Sequence, residues 1–525
     1  MNTTVLIVGA GPTGLTMAIE LARRGVDVEI VDASAEMHDD TRALGVQPRT
    51  LELFDTIGVA DAAVDRGLPV GAFSVFSENK RIIHVNMNGL DTPYPFTLML
   101  PQSQTEALLA ARLAEFGVTV KRPVELTALT QDRNGVQATL RHADGRIELT
   151  ECDWLVGCDG ARSRVRTQLG VPFAGTAFEE NFAVADLRLD WSMPHDQFLA
   201  FLNRGSFVAY FPMPSGAYRT AVGYPKGQAP EGDVSFSEIQ RAVEKCSPEG
   251  ARVTAVNQTA RFRINQRKVE RHSVGRVFLA GDAAHIHSVV GAQGMNTGIQ
   301  DAFNLGWKLA GVALNRAPRQ LLDTYQDERA PVVNRLVKGT RTFTRLVLLG
   351  NPLATAARRN IASRVMSRPG RQHRLARAIS EVDVTYRARS RAKRQSPLAV
   401  GDRAPNAEVT HPSSGTAATL FDVFDNERHT LLAVGASHQN VAAAASDYAE
   451  ELQVVHVIGD AKSPSADHAL VVLDAERQVQ QRYHMPSGGY ALIRPDRYIG
   501  ALGNAHHTDG LDLYLRRTFT DRPRH

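Results

Sequence analysis

Cysteine is scarce. The 525-residue chain carries three, Cys152, Cys158 and Cys246, with no Cys-x-x-Cys among them. That argues against a disulfide scaffold, a zinc ribbon and thioredoxin-type dithiol chemistry, and it fits a reducing, cytoplasmic setting. Long apolar runs are missing too. None approaches the roughly 20 residues a membrane span requires, so no membrane partner is expected. The N-terminus enters an apolar run directly, without the basic start and cleavage site of a signal peptide. Excess charge of either sign is absent: 60 Lys+Arg against 56 Asp+Glu leaves +4, too little to make nucleic acid the main partner. No Gly-x-Ser-x-Gly elbow is present, and no further ligand-type spacing joins His285 and His287, so neither acyl transfer nor a metal centre is expected.

What remains is an ordinary globular balance, 43 % hydrophobic and 22 % charged, in a chain long enough for about three domains. Val5 to Gly9 reads as a buried strand, Thr13 to Arg24 as a helix, and Val28 to Val31 as a second strand ending at Asp32. Between strand and helix lies Gly9-Ala10-Gly11-Pro12-Thr13-Gly14. In such a turn Gly9 permits the sharp bend, Gly11 leaves room for a pyrophosphate, and Gly14 lets the helix close on the strand. The helix N-terminus attracts phosphate, and Asp32 stands where a carboxylate accepts from a ribose. The turn alone does not separate NAD from FAD. Two later segments each put a carboxylate beside glycine at a strand end: Cys158-Asp159-Gly160-Ala161-Arg162 and Gly281-Asp282-Ala283-Ala284-His285. Downstream, Gly291-Ala292-Gln293-Gly294-Met295-Asn296 opens a long apolar-periodic helix from about Thr297 to Leu314.

Other stretches organise the chain. Ala107 to Phe116 is helical in pattern, and Val118 to Cys158 reads as hairpins. From about Gly175 to Gln266, aromatic and β-branched runs alternate with turns, as in an inserted antiparallel sheet. Phe198, Phe201, Phe207, Tyr210, Phe211, Met213 and Tyr224 are its candidate pocket walls. Pro331 to Arg394 is helical and rich in arginine, with about a dozen between Arg341 and Arg394, best read as a solvated or interdomain face. After Ser396-Pro397, His429–Val434, Val454–Ile458, Ala469–Asp474 and Tyr490–Arg494 are strand-like, and Val441–Leu452 helix-like.

Three spaced motifs in this order give the chain a resemblance to the class A FAD-dependent aromatic hydroxylases, the flavoprotein monooxygenases of the para-hydroxybenzoate, phenol and polyketide hydroxylase type. Thr41-Arg42-Ala43 with Arg49-Thr50-Leu51-Glu52, and Pro101-Gln102 with Thr105-Glu106, match two further family patterns. The likeness covers roughly residues 1–340. It implies an α/β fold: a discontinuous Rossmann-like FAD-binding domain (1–175 and 267–335), an inserted substrate-binding sheet domain (176–266), an arginine-rich helical linker (336–395) and a thioredoxin-like domain without redox cysteines (396–525), suggested by Tyr490-Ala491-Leu492-Ile493-Arg494-Pro495-Asp496.

The resemblance also implies roles. Gly9, Gly11, Pro12 and Gly14 would form the cofactor turn, Asp32 would take the adenosine ribose, and Arg42 and Gln102 would contact FAD. Asp159 and Arg162 would serve FAD and NAD(P)H. Gly281 and Asp282 would hold the ribityl chain, and Gly294, Met295 and Asn296 the isoalloxazine ring. The implied chemistry is reduction of flavin by NAD(P)H, then transfer of one oxygen atom from O2, through a flavin C4a-hydroperoxide, to a small phenolic or polycyclic aromatic substrate. Baeyer–Villiger insertion and epoxidation are alternatives on the same fold. No residue stands out as catalytic acid or base, and the chain is expected to be a monomer or homodimer. One departure stands out. Val289 occupies a position where family members usually carry proline, and Ala292 one where they carry glycine. Losing a proline frees φ and adds an N–H beside the ring, which leaves open a flavin-binding protein that sequesters an intermediate with little turnover.

Overall fold

The computed structural model describes residues 2–37, 43–78, 80–225, 227–287, 292–347, 364, 368–387, 397–412, 414–435, 441, 445–459, 470–504 and 506–520. It divides into two compact units, Met1–Phe303 with Val333–Val382, and Asn304–Val332 with Asp383–His525.

The first unit is built on a seven-stranded sheet. Asn2–Val8 lies inside it, next to the end strand Val28–Val31 on one side and to Ile147–Gly157 on the other, parallel to both, and Val277–Leu279 continues the parallel set. Val5, Leu6, Ile7, Ile30, Leu155 and Val156 are fully buried. Helices and hairpins cover both faces, which is why these strands read as continuous apolar runs rather than alternating ones. The hairpin Val124–Gln131 and Val136–His142 joins through Ile147–Gly157. The expected helices appear at Pro12–Ala22, Gln102–Glu115 and Gly294–Ala313.

The second sheet has eight strands. It extends beyond the stretch from 176 to 266, because Ala72–Ser77 pairs parallel to Gln197–Asn203 and carries Lys80–Asn86 with it. Its faces follow the period of two. Ala183, Ala185, Leu187, Phe201, Tyr210 and Tyr218 pack beneath the helix Phe236–Cys246, against Ile239 and Val243. Phe182, Ala200, Phe207, Ala209 and Ala221, with Phe198, Phe211 and Phe262, occupy the opposite face. The expected pocket walls therefore split. Phe201, Tyr210 and Tyr224 belong to the helix-covered side, and only Phe211 of the seven borders the cavity described below.

The second unit holds a seven-stranded sheet in the order Ala417–Thr419, Glu408–Thr410, Leu470–Leu473, Leu452–Ile458, His429–Val434, Gly489–Ile493, Ile499–Gly503. Leu470–Leu473, Leu452–Ile458 and His429–Val434 run parallel, and Gly489–Ile493 returns antiparallel. The expected helix over 441–452 lies partly outside the described residues; Ser446–Tyr448 is a short 3-10 turn and Leu452 already begins a strand. Beneath the sheet, Arg494 donates to Glu328 Oε1 at 2.6 Å and to Asp496 Oδ2 at 2.5 Å, and Lys308 reaches Glu328 at 2.7 Å. Burial pushes the Lys308 amine down to about 8, opposed by the Glu328 carboxylate.

Candidate active site

The glycine turn closes by contact, not only by flexibility. Gly9 sits at φ 101°, and a Cβ there would lie 2.4 Å from the Cys158 carbonyl oxygen; a Cβ on Gly14 would lie 1.9 Å from the Gly9 oxygen. Both positions therefore need glycine for packing. Gly11 differs: the nearest atom to a Cβ there is Glu106 Oε1 at 4.0 Å, so its missing side chain leaves open space at a helix N-terminus. Pro12 opens the helix, where its missing N–H costs nothing. Asp32 Oδ2 accepts the Ala10 N–H at 2.6 Å, its Oδ1 accepts Ser34 N–H at 2.8 Å, and Arg122 Nη1 stands 3.5 Å away.

The second motif caps its own helix. The Asp159 carboxylate accepts from Ser163 Oγ (2.5 Å), Arg164 N (2.7 Å) and Val165 N (3.0 Å). Burial raises its carboxyl above the ordinary range, and these donors pull it back. Arg166 then ties motif to motif: its guanidinium donates to Ala283 O at 2.9 Å and Ala161 O at 2.8 Å while stacking on Phe173 at 3.8 Å. Gly281, at φ 59°, faces Thr13, whose Oγ1 would be 2.6 Å from a Cβ there and 2.4 Å from one on Gly298. Thr13 thus fills the space that both glycines vacate. Asp301 Oδ2 accepts Gly281 N–H at 3.1 Å and pairs with His285 Nε2 at 2.7 Å.

The loop before the long helix is clamped by Asn296. Its Nδ2 donates to Gly45 O (2.9 Å) and Ala292 O (2.8 Å), and its Oδ1 accepts Gln47 N–H (2.8 Å). Ala292 adopts φ 52°, the left-handed region that glycine would occupy without strain. Gln102 is oriented from both ends, with Oε1 accepting Ala43 N–H at 3.4 Å and Nε2 donating to Glu106 at 2.8 Å.

These pieces border one cavity of about 920 Å³. Gly9, Gly11, Pro12, Asp32 and Gln102 line it at the turn, Asp159 and Arg162 at its flank, and Asp282, Gly294 and Met295 further along. Gly14, Gly281 and Asn296 are not among its lining; they hold the elements that are. Arg42 and Val289 lie outside the described residues. Past Met295 the wall becomes the second sheet, through Val184, Phe211, Arg219, Ala221, Ala260 and Phe262. Sequence reasoning assigned no role to Thr13, Arg122, Asp301 or Arg219. Their partners lie far along the chain, and no local spacing marks them.

A buried parallel sheet, a glycine turn at its edge and a cavity passing on to an antiparallel sheet define a dinucleotide-binding oxidoreductase architecture. Residues 2–340 match the FAD binding domain family, and 397–523 match the aromatic-ring hydroxylase C-terminal family. The chain is 37 % identical over 538 aligned positions to 6-methylpretetramide 4-monooxygenase of Streptomyces rimosus, covering 98 % of this chain and 93 % of that one. It is 32 % identical over 516 positions to pentachlorophenol 4-monooxygenase of Sphingobium chlorophenolicum, covering 95 % and 94 %. The solved anhydrotetracycline hydroxylase from Streptomyces rimosus superimposes with a TM-score of 0.79 at 30 % identity, covering 100 % of both chains. The chain belongs to the FAD-dependent aromatic-ring hydroxylase family of flavoprotein monooxygenases. The open space at Gly11 beside a helix N-terminus, with the cavity continuing past Asp282, fits FAD, the cofactor of that family.

Proposed function

We propose that the protein is an NAD(P)H-dependent monooxygenase that inserts one oxygen atom of O2 into a phenolic or polycyclic aromatic compound. The observation that carries this reading is the continuity of a single cavity from Gly11 to the apolar sheet face at Phe211 and Phe262. FAD, when bound, supplies hydride acceptance and oxygen activation. The chain's own residues bind, orient and exclude water. Gly11 and Pro12, on the turn that Gly9 and Gly14 allow to close, seat the pyrophosphate, Asp32 meets the adenosine ribose, and Gln102, held by Glu106, presents its amide to the cofactor chain. Arg42 is assigned the same neighbourhood on resemblance alone. Asp282 meets the ribityl hydroxyls. Gly294 and Met295 border the ring, while Asn296 fixes their loop. Asp159 holds the loop that offers Arg162 to NAD(P)H. Phe211, Ala221 and Phe262 keep the substrate end dry, which protects the oxygen-transferring step from water.

The eight-stranded sheet is read as the substrate domain. Residues 396–525 are read as a thioredoxin-like fold without dithiol chemistry, supported by the parallel strands at the centre of its sheet and by the absence of cysteine after Cys246. Three buried free cysteines support a cytoplasmic setting.

The test is anaerobic stopped-flow reduction of the bound flavin by NADPH and by NADH, with and without a panel of phenols and naphthols. Acceleration by a panel member is the expected result. Flavin that neither nucleotide reduces, whatever aromatic is present, contradicts the reading.

A further inference from the structure

Among the described second-sheet residues that border the cavity, Arg219 is the only polar one. Asp186 and Arg219 stand directly opposite each other on the antiparallel strands Ala174–Asp190 and Tyr218–Gly223. Arg219 Nε donates to Asp186 Oδ1 and Nη2 to Oδ2, each at 2.8 Å. Both residues are buried, at 9 % and 7 % exposure, and Arg219 borders the cavity. Around the pair, Val184 faces Ala221 and Ala260 across the sheet, and Phe211 is the register partner of Arg219.

Physical chemistry makes this placement informative. Desolvating two charges offsets much of their attraction, so a buried ion pair is a weak stabilising device compared with apolar residues of similar volume. Phe211, opposite Arg219, is such a residue, and Gln258, opposite Asp186 on the other flanking strand, is polar but uncharged. A guanidinium remains cationic at any working pH, and its two-point bond to Asp186 fixes its plane. The cavity therefore presents an oriented cation among aromatic and aliphatic groups. The Asp186 carboxylate behind it cancels most of the net charge. Such a pair favours one polarised or singly ionised oxygen on an otherwise apolar ligand over a strongly charged headgroup.

Resting on the function proposed above, we infer that Arg219, oriented by Asp186, is a specificity-determining residue that receives an acidic ring oxygen, a phenolate or an enolate, of the aromatic substrate. The ligand loses its proton to bulk water before binding, and Arg219 holds the anion. An ionised oxygen also makes the ring more electron-rich, which suits attack by an electrophilic oxygen donor.

The probes are 2-naphthol and its methyl ether, 2-methoxynaphthalene, with affinity read from the perturbed flavin spectrum of the holoenzyme. Wild-type enzyme is expected to bind the naphthol roughly tenfold or more tightly than the ether. The naphthol affinity rises with pH as the ligand ionises, while the ether's stays flat. This arm needs no variant and is immune to misfolding. Arg219→Gln is expected to bring the two affinities together, and Arg219→Lys to keep part of the difference. Asp186→Asn, which removes the negative charge of this carboxylate from the pair, is expected to tighten binding of 2-naphthoate. A wild-type ratio near one, or a ratio that survives in Arg219→Gln, overturns the proposal. Binding of neither probe by wild type removes the aromatic-substrate reading itself and the proposal with it, a result distinct from binding without discrimination.

Discussion

His285 Nε2 and Asp301 Oδ2 lie 2.7 Å apart in full burial, and the same oxygen accepts the backbone N–H of Gly281 at 3.1 Å. A residue on the long helix thus sets the turn that carries Asp282. Asp301→Ala leaves both the imidazole and the amide without this acceptor, so a loss of about 3 kcal/mol is expected. Urea unfolding checks the stability, and flavin retained after desalting checks the turn. Stability within about 0.5 kcal/mol of wild type together with full flavin content would refute this role.

Gly9 and Gly11 separate packing from binding. Gly9→Ala places a methyl 2.4 Å from the Cys158 carbonyl oxygen at φ 101°; a cost of roughly 2–4 kcal/mol in the apoprotein follows. Gly11→Ala meets no atom nearer than 4.0 Å. Its apoprotein is expected to melt within a few degrees of wild type, while FAD affinity falls roughly tenfold or more. Equal effects of the two substitutions on apoprotein melting would contradict the assignment of Gly11 to the cofactor.

How much was legible beforehand follows from where the signals reside. The turn at Gly9–Gly14 could be read because its chemistry is local: backbone freedom, a helix start, an acid at the next strand end. The alternation of the second sheet was also legible, yet which side faces the cavity was not, because Phe201 and Phe211 belong to different strands and only register relates them. Thr13 illustrates the same limit. It serves Gly281 and Gly298, more than 260 residues away, and nothing in its neighbourhood marks it. Asp159 was legible as a motif, but its hydrogen bonds to Ser163, Arg164 and Val165 show the carboxylate occupied in holding its own loop. The two strands at Ala72–Ser77 and Lys80–Asn86 join the sheet by a parallel crossover that spacing alone does not reveal.

Ala292 holds a left-handed backbone that costs a β-carbon roughly 1–2 kcal/mol. Ala292→Gly relieves that strain but adds freedom to the unfolded chain, so a net gain of up to about 1 kcal/mol is expected. Thermal melting of the holoenzyme checks it. A loss of stability would mean that the methyl group contributes packing greater than the strain.

Lys308 couples the second unit to alkaline pH. Its amine is buried and lowered from 10.5 to about 8. Between those values the unfolded chain keeps a proton that the folded chain has released. Stability on this group's account therefore rises with pH across the window, and below about pH 8 the cost of the buried charge is fully present. Glu328 acts at the other end. Arg494 and Lys308 hold its carboxyl below the ordinary range despite burial, so its contribution is present above its unfolded value and lost as pH falls through the depressed one. Urea titrations between about pH 8 and pH 10 are expected to show wild type gaining stability relative to Lys308→Met. A constant difference between the two proteins would contradict this.

The central claim is that the cavity joining Gly11 to Phe211 brings reduced flavin, oxygen and an aromatic ring together. Its most direct test is turnover of the holoenzyme with NADPH and the naphthol panel under isotopically heavy dioxygen, with products analysed by mass spectrometry. The account predicts a hydroxylated aromatic carrying one heavy oxygen atom, formed in proportion to NADPH consumed. Products labelled from water, or NADPH consumption that yields only hydrogen peroxide with every aromatic, would contradict it.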